Sequence, residues 1–274
     1  MEKPVSYPKK VIAITGKGGV GKTALTAMMT KKLVESRKHL KILVIDGDPA
    51  MGLSAVLGVK ARRTIGEVRE KIINSARERN TGIAVEMDYL ILETLTEEEG
   101  FSMLVMGRTE TLGCFCPVND LLRSAIEKLV KNFDIVLIDC EAGLEQINRK
   151  VVQTVDELVI ISDPTLRGMQ TASLIKKIAC QDNMLPYGEI GLVLNRVKGQ
   201  ATRILPLAEK IGLKILGLIP DDENIAEYDL LGKPLTGLPG NSPGLIAAGE
   251  VLQAIFSQAC QFSPWTNLEP DKPD

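Results

Sequence analysis

Eight consecutive residues, Gly16-Lys17-Gly18-Gly19-Val20-Gly21-Lys22-Thr23, combine the types and spacing best able to do chemistry in this chain. Glycines let a loop turn tightly and present successive backbone N–H groups. A helix starting straight after them adds the positive end of its dipole, and together these make a cradle for polyphosphate. Lys22 supplies a point charge for the β and γ phosphates, and the Thr23 hydroxyl can ligate Mg2+. Such a cradle must join a strand to a helix. The apolar run Val11-Ile12-Ala13-Ile14 precedes it, and a helical pattern begins near Ala24. Gly16, Lys17, Gly18, Gly19, Val20, Gly21, Lys22, Thr23 and Ala24 are therefore candidate nucleotide-binding residues.

Two carboxylates are placed to meet that nucleotide. The run Lys41-Ile42-Leu43-Val44-Ile45 reads as a strand covered on both faces, and it ends in Asp46-Gly47-Asp48-Pro49. Ligands of open α/β sheets sit beyond the carboxyl ends of strands, so these acids arrive beside the phosphates. A carboxylate at Asp48 would align a nucleophile on the γ-phosphate, which is a positioning task. A second run, Ile135-Val136-Leu137-Ile138, delivers Asp139, and an aspartate there suits Mg2+, commonly through a bound water.

Cys114-Phe115-Cys116-Pro117 adds a pair of thiols one residue apart. Two thiolates do not complete a zinc, nickel or iron–sulfur shell, which generally takes four ligands. A two-fold dimer would double two into four at its axis. Two packed or redox-neutral cysteines fit the same pattern. The single histidine, His39, falls in a basic turn and reads as structural.

The elements that must position these residues follow from periodicity. Leu25, Met28, Met29, Leu33 and Val34 recur at helical spacing behind the glycine loop. Residues 64–79 read as a charged amphipathic helix, Tyr89-Leu90-Ile91-Leu92 as a strand, and Glu97-Glu98-Glu99 as a solvated turn. Residues 119–132 form an amphipathic helix. Strands follow at 158–161, 192–196 and 215–219, with a helix over 171–178 that leaves Cys180 as a core residue. Cys140 also reads as core. Residues 233–244 are dense in Gly and Pro and form a loop, and 245–256 form a final helix. Alternating strands and helices predict an α/β fold, one mostly parallel sheet with helices on both faces. One domain over residues 1–262 is expected, followed by a mobile acidic tail over 263–274.

Bulk properties bound the function. At 274 residues, 45% hydrophobic and 25% charged, the chain can build one large core. A net charge of -2 gives no general attraction to nucleic acid or anionic membrane. No apolar run approaches the length of a membrane span and no signal-peptide core is legible, which predicts a reducing cytoplasm. The five cysteines there are core, redox or metal-ligating residues and not a disulfide framework.

The pattern Lys-Gly-Gly-Val-Gly-Lys-Thr, with Lys17 as a second lysine, resembles the deviant P-loop of the MinD, ParA and nitrogenase iron-protein family. That resemblance implies a homodimeric ATPase in which Lys17 crosses a two-fold axis to the partner's phosphates, like an arginine finger in trans. Ala24 stands where many relatives carry a hydroxyl beside the α-phosphate. The resemblance makes Asp48 the residue that orients or deprotonates the attacking water and gives it a part in the Mg2+ site with Thr23 and Asp139. Gly143 becomes the backbone sensor of the γ-phosphate. Asn195 takes the adenine edge with Arg196 beside it, and Pro220 and Asp221 line the base on the other side.

Gly-Cys-Phe-Cys-Pro from Gly113, with Asp-Cys-Glu-Ala-Gly-Leu-Glu-Gln-Ile-Asn-Arg from Asp139, is similar to the CooC-type ATPases. These serve nickel insertion into carbon monoxide dehydrogenase and, in close relatives, acetyl-CoA synthase. Membership implies a metal, nickel or zinc, held by Cys114 and Cys116 of both subunits, and an apo nickel enzyme as client. Neither nucleic acid nor membrane is an implied partner. Three other readings share the loop: a MinD- or ParA-like positioning ATPase, an electron-transfer protein like the nitrogenase iron protein, and an Mrp-like iron–sulfur carrier. The last two need cysteines that this chain lacks, one just beyond Gly143 and a Cys-x-x-Cys near the C-terminus, where only Cys260 lies.

Overall fold

Alternation along continuous apolar strands decides how this chain packs. In the computed structural model, which describes residues 9–37, 39–77, 83–108, 116–141, 155–181, 187–199 and 204–258, the elements run β1 (Lys10–Gly16), α1 (Lys22–Ser36), β2 (Ile42–Asp46), α2 (Gly52–Leu57), α3 (Ile65–Arg77), α4 (Ile83–Thr94), β3 (Thr96–Glu98), β4 (Phe101–Val105), α5 (Cys116–Val130), β5 (Ile135–Asp139), β6 (Val155–Ser162), α6 (Leu166–Gln181), β7 (Tyr187–Val197), α7 (Leu205–Lys210), β8 (Lys214–Pro220), α8 (Glu223–Leu230) and α9 (Pro243–Gln258). The strands form one sheet in the order β3-β4-β2-β5-β1-β6-β7-β8, antiparallel only at β3.

Side chains of successive strand residues point to opposite faces, so each run splits between two cores. Ile12, Ile14, Val44, Leu137, Val159 and Val193 pack with Leu25, Met28, Met29 and Leu33 of α1 and with Leu245, Val251 and Ile255 of α9. Ala13, Leu43, Ile45, Val136, Ile138, Leu158 and Ile160 pack on the other face with α3, α5 and α6. This is one α/β domain with helices on both faces. A capping box starts α3: the Thr64 N–H donates to Glu67 at 2.8 Å, and the Glu67 N–H donates to the Thr64 hydroxyl at 3.2 Å.

Three local expectations are corrected. Tyr89-Leu90-Ile91-Leu92 lies in helix α4, with Leu90 and Ile91 buried and Tyr89 and Leu92 exposed. A four-residue apolar run has no period of its own, and packing against α3 and α5 settles it as helix. The strands of this stretch are instead β4 and, at the sheet edge, the antiparallel β3, which holds Glu97 and Glu98 where a turn was expected. Cys180 is exposed. Helix α6 runs past residue 178 and buries Met169, Ala172, Ile175 and Ala179, so Cys180 lies a further ~100° around the axis. Its sulfur sits 2.9 Å from the Tyr187 hydroxyl. Cys140 is buried, as expected.

The end of the sheet opposite the nucleotide loop holds a buried ion pair. Lys10 Nζ lies 3.4 Å from Glu157 Oε2, with side-chain exposures of 8% and 1%. Lys10 also donates to the carbonyl of Ile255 near the end of α9, at 2.9 Å. Burial raises the Glu157 pKa, and the Lys10 charge works against that rise. Truncating one partner leaves the other charge buried alone, so Glu157→Ala should destabilise the fold by about 3–5 kcal/mol. Urea unfolding should report this as a lower midpoint with an unchanged slope.

Candidate functional site

Three neighbouring parallel strands deliver three pieces of one site, β2 and β5 ending level and β1 running two residues further to Gly16. In the register, Asp46 of β2 stands opposite Asp139 of β5, and Ile14 of β1 stands opposite Asp139. β1 then runs into the glycine loop and α1. Gly21 takes φ of 100°, and a Cβ there would lie 2.3 Å from the Asn195 amide nitrogen, so both conformation and space require glycine. The Asn195 amide donates to the Val20 carbonyl at 2.8 Å and braces the loop from β7. Lys22 is buried and donates to the Lys17 carbonyl at 3.4 Å, whereas Lys17 itself is exposed.

Gly18, Gly19, Gly21, Lys22, Thr23, Ala24, Asp48, Asn195, Arg196, Pro220 and Asp221 line a single cleft of about 870 Å3. Residues predicted from four separated stretches therefore converge. A register shift between Leu194 and Val197 bulges β7, with Arg196 at φ of 56°; such a bulge re-aims side chains at a strand end. Asp221 pairs with Lys198 at 2.8 Å on the exposed rim. Gly143 and Cys114 lie outside the described residues, and Cys116 is the first residue of α5.

Two buried carboxylates at the strand ends, Asp139 and Asp46, are strongly perturbed. Burial pushes the Asp139 pKa up to about 7; the Thr23 bond and Lys22 pull against this, while the charges of Asp46 and Asp48 add to it. Thr23 Oγ1 donates to Asp139 Oδ2 at 2.7 Å, and the buried Oδ1 of Asp139 has no hydrogen-bond partner. An orphaned buried carboxylate oxygen beside a threonine hydroxyl is a fitting donor set for Mg2+, which takes one or two carboxylates and completes its shell with phosphate and water oxygens. Asp46 has no role assigned from sequence. It is fully buried, and burial raises its pKa to about 6. Its carboxylate accepts from the Asp48 N–H at 3.2 Å and the Leu53 N–H at 3.1 Å, so it pins the Asp48 turn and the start of α2. The signal was available: it is the last residue of the apolar run, level with Asp139.

A family model described as an AAA domain matches residues 9–184. The chain belongs to that family. An uncharacterized ATP-binding protein of Methanocaldococcus jannaschii is 40% identical, covering 90% of this chain and 99% of that protein. The carbon monoxide dehydrogenase accessory protein CooC of Rhodospirillum rubrum is 32% identical, over 82% of this chain and 87% of CooC. Among solved structures, the septum site-determining protein MinD from Pyrococcus horikoshii, complexed with Mg-ADP, superposes with a TM-score of 0.65 at 25% identity, covering 91% of this chain and 97% of that one. This AAA domain protein is a P-loop ATPase of the MinD and ParA type. No helix among its described residues is long and apolar enough to cross a membrane.

Proposed function

We propose that this ATPase is a metallochaperone that delivers nickel to an apo enzyme of the carbon monoxide dehydrogenase or acetyl-CoA synthase type. The observation that carries the reading is the Cys114-Phe115-Cys116 pair in a chain 32% identical to a carbon monoxide dehydrogenase accessory protein over most of both lengths. Among the described residues no group of three or more His, Cys, Asp or Glu could hold a metal ion. Two thiolates per chain become a four-ligand site only where two chains meet, so the reading requires a homodimer with Cys114 and Cys116 at its axis. The ATPase domain spans residues 1–262, with 263–274 as an appended tail, and the protein works in the cytoplasm.

The backbone N–H groups of the glycine loop and the Lys22 ammonium hold the triphosphate, with Ala24 packing beside it. Thr23 and Asp139 hold Mg2+, with Asp48 contributing from the adjoining turn. The ion, when bound, neutralises charge developing on the β- and γ-phosphate oxygens. Asp48 orients the attacking water, and the exposed Lys17 reaches the partner's phosphates. The Gly143 N–H senses the γ-phosphate, and Asn195, Arg196, Pro220 and Asp221 surround the base. Residues 106–108 are tied to the turn that carries Asp48: the Met106 N–H donates to the Asp46 carbonyl at 2.9 Å, and Arg108 Nε donates to the Pro49 carbonyl at 3.2 Å. ATP closes the dimer around the metal, and hydrolysis loosens it.

Metal analysis with sedimentation tests this. Wild type should hold about half a nickel or zinc ion per chain as a dimer. Cys114→Ala and Cys116→Ala should lose the metal while keeping ATP binding. An ATP-loaded protein that stays monomeric with metal supplied would remove the nickel reading. The likeness to MinD favours a second reading, a positioning ATPase, and ATP-dependent co-sedimentation with liposomes or DNA would select it.

A further inference from the structure

Asp222 sits between the end of β8 and the start of α8, and its carboxylate serves two helices at once. Oδ1 accepts from the N–H and the side-chain amide of Asn224, each at 2.9 Å, in the first turn of α8. Oδ2 accepts from the buried Ser242 hydroxyl and, at 2.8 Å, from the Gly244 N–H in the first turn of α9. Gly244 admits this approach, because a Cβ there would lie 2.5 Å from Ile225 Cδ1. Burial alone would raise the Asp222 pKa, but the bonds from Ser242, Gly244 and Asn224 hold it below the ordinary carboxylate range. The residue is therefore a charged cap on both helices.

Its place in the molecule gives that cap a consequence for ligand binding. Asp222 lines the same cleft as Gly21, Lys22 and Thr23, together with Asp221, Ile225 and Tyr228. Helix α9, joined to Asp222 at its first turn, packs along α1, the helix that continues the glycine loop. Near its other end α9 is held by Lys10 through the Ile255 carbonyl. The α8 wall and the phosphate loop are thus tied into one frame through α9.

We propose that Asp222 is a positioning residue for the nucleobase: by capping α8 and α9 together it fixes the base-side wall of the cleft relative to the phosphate loop. The inference rests on the reading that Pro220 and Asp221 line the base. Loss of the double cap would let that wall shift while the glycine loop, braced separately by Asn195, keeps its shape.

Equilibrium titrations of the full chain with ATP and with inorganic tripolyphosphate, both with Mg2+, test the proposal, because tripolyphosphate carries the phosphates without a base. Wild type should bind ATP more tightly than tripolyphosphate. Asp222→Ala should lose about tenfold in ATP affinity and keep tripolyphosphate affinity within about twofold. Should Asp222→Ala fail to fold, Ser242→Ala, which removes one of the four bonds, should give the same selective loss at about threefold. Equal losses for both ligands, or no loss of ATP affinity in a folded variant, would overturn the role of Asp222. Equal affinity of the wild type for ATP and tripolyphosphate would instead overturn the base-wall reading on which it rests.

Discussion

Lys17→Ala is expected to lower ATP turnover by about 10³–10⁵-fold, the scale of an arginine finger, while ATP affinity stays within about an order of magnitude. Lys22 is buried and held against the loop, so it is the lysine built to bind phosphate within its own chain. Lys17 is exposed at the loop tip, where a charge contributes little to its own cradle and is available to a facing subunit. A cation that meets the γ-phosphate only across a dimer interface acts on the transition state and leaves ground-state binding nearly unchanged. Phosphate release at saturating ATP, beside an equilibrium titration with ATP, separates the two quantities. Undiminished turnover would mean that Lys17 does not act in trans.

The second large effect is at Asp48. Asp48→Asn should reduce turnover by about 10²–10⁴-fold, the range for a lost general base or water-positioning group. Asp48 Oδ1 accepts the Ala50 N–H at 2.8 Å, and the Asp48 N–H is anchored on Asp46. The amide can keep the first bond and does not touch the second. Thermal unfolding close to wild type, with ATP binding retained and turnover lost, would assign the loss to the carboxylate charge. Wild-type turnover in the variant would remove Asp48 from the mechanism.

How much of this was legible depended on the range of the interaction responsible. The glycine loop, the helix behind it, Asp48 just beyond β2 and Asp139 closing β5 are readable because their signals are local: turn residues, helical spacing and apolar runs leading into an acid. Residues 61–113 were the hardest because their apolar runs are short. There α4 resembles a strand until α3 and α5 cover it, and β3 consists of acidic residues that belong to the sheet only through pairing with β4. Cys180 departs from its core expectation for a related reason, since the length of α6 and not its residue type sets the exposed face.

The sequence by itself determined a nucleotide-binding loop in an α/β sheet, because the cradle, the strands and the acids at their ends each follow from neighbours in the chain, and its resemblance to the MinD and ParA family implied the ATPase. Tertiary structure alone decided that Asp46 is a buried anchor of the Asp48 turn and that Asn195 braces the glycine loop. It also brought one carboxylate, Asp222, to the first turns of two helices whose starts lie 20 residues apart. Each of these rests on hydrogen bonds or burial that arise only when the sheet closes, and no local spacing encodes a partner brought near by a crossover.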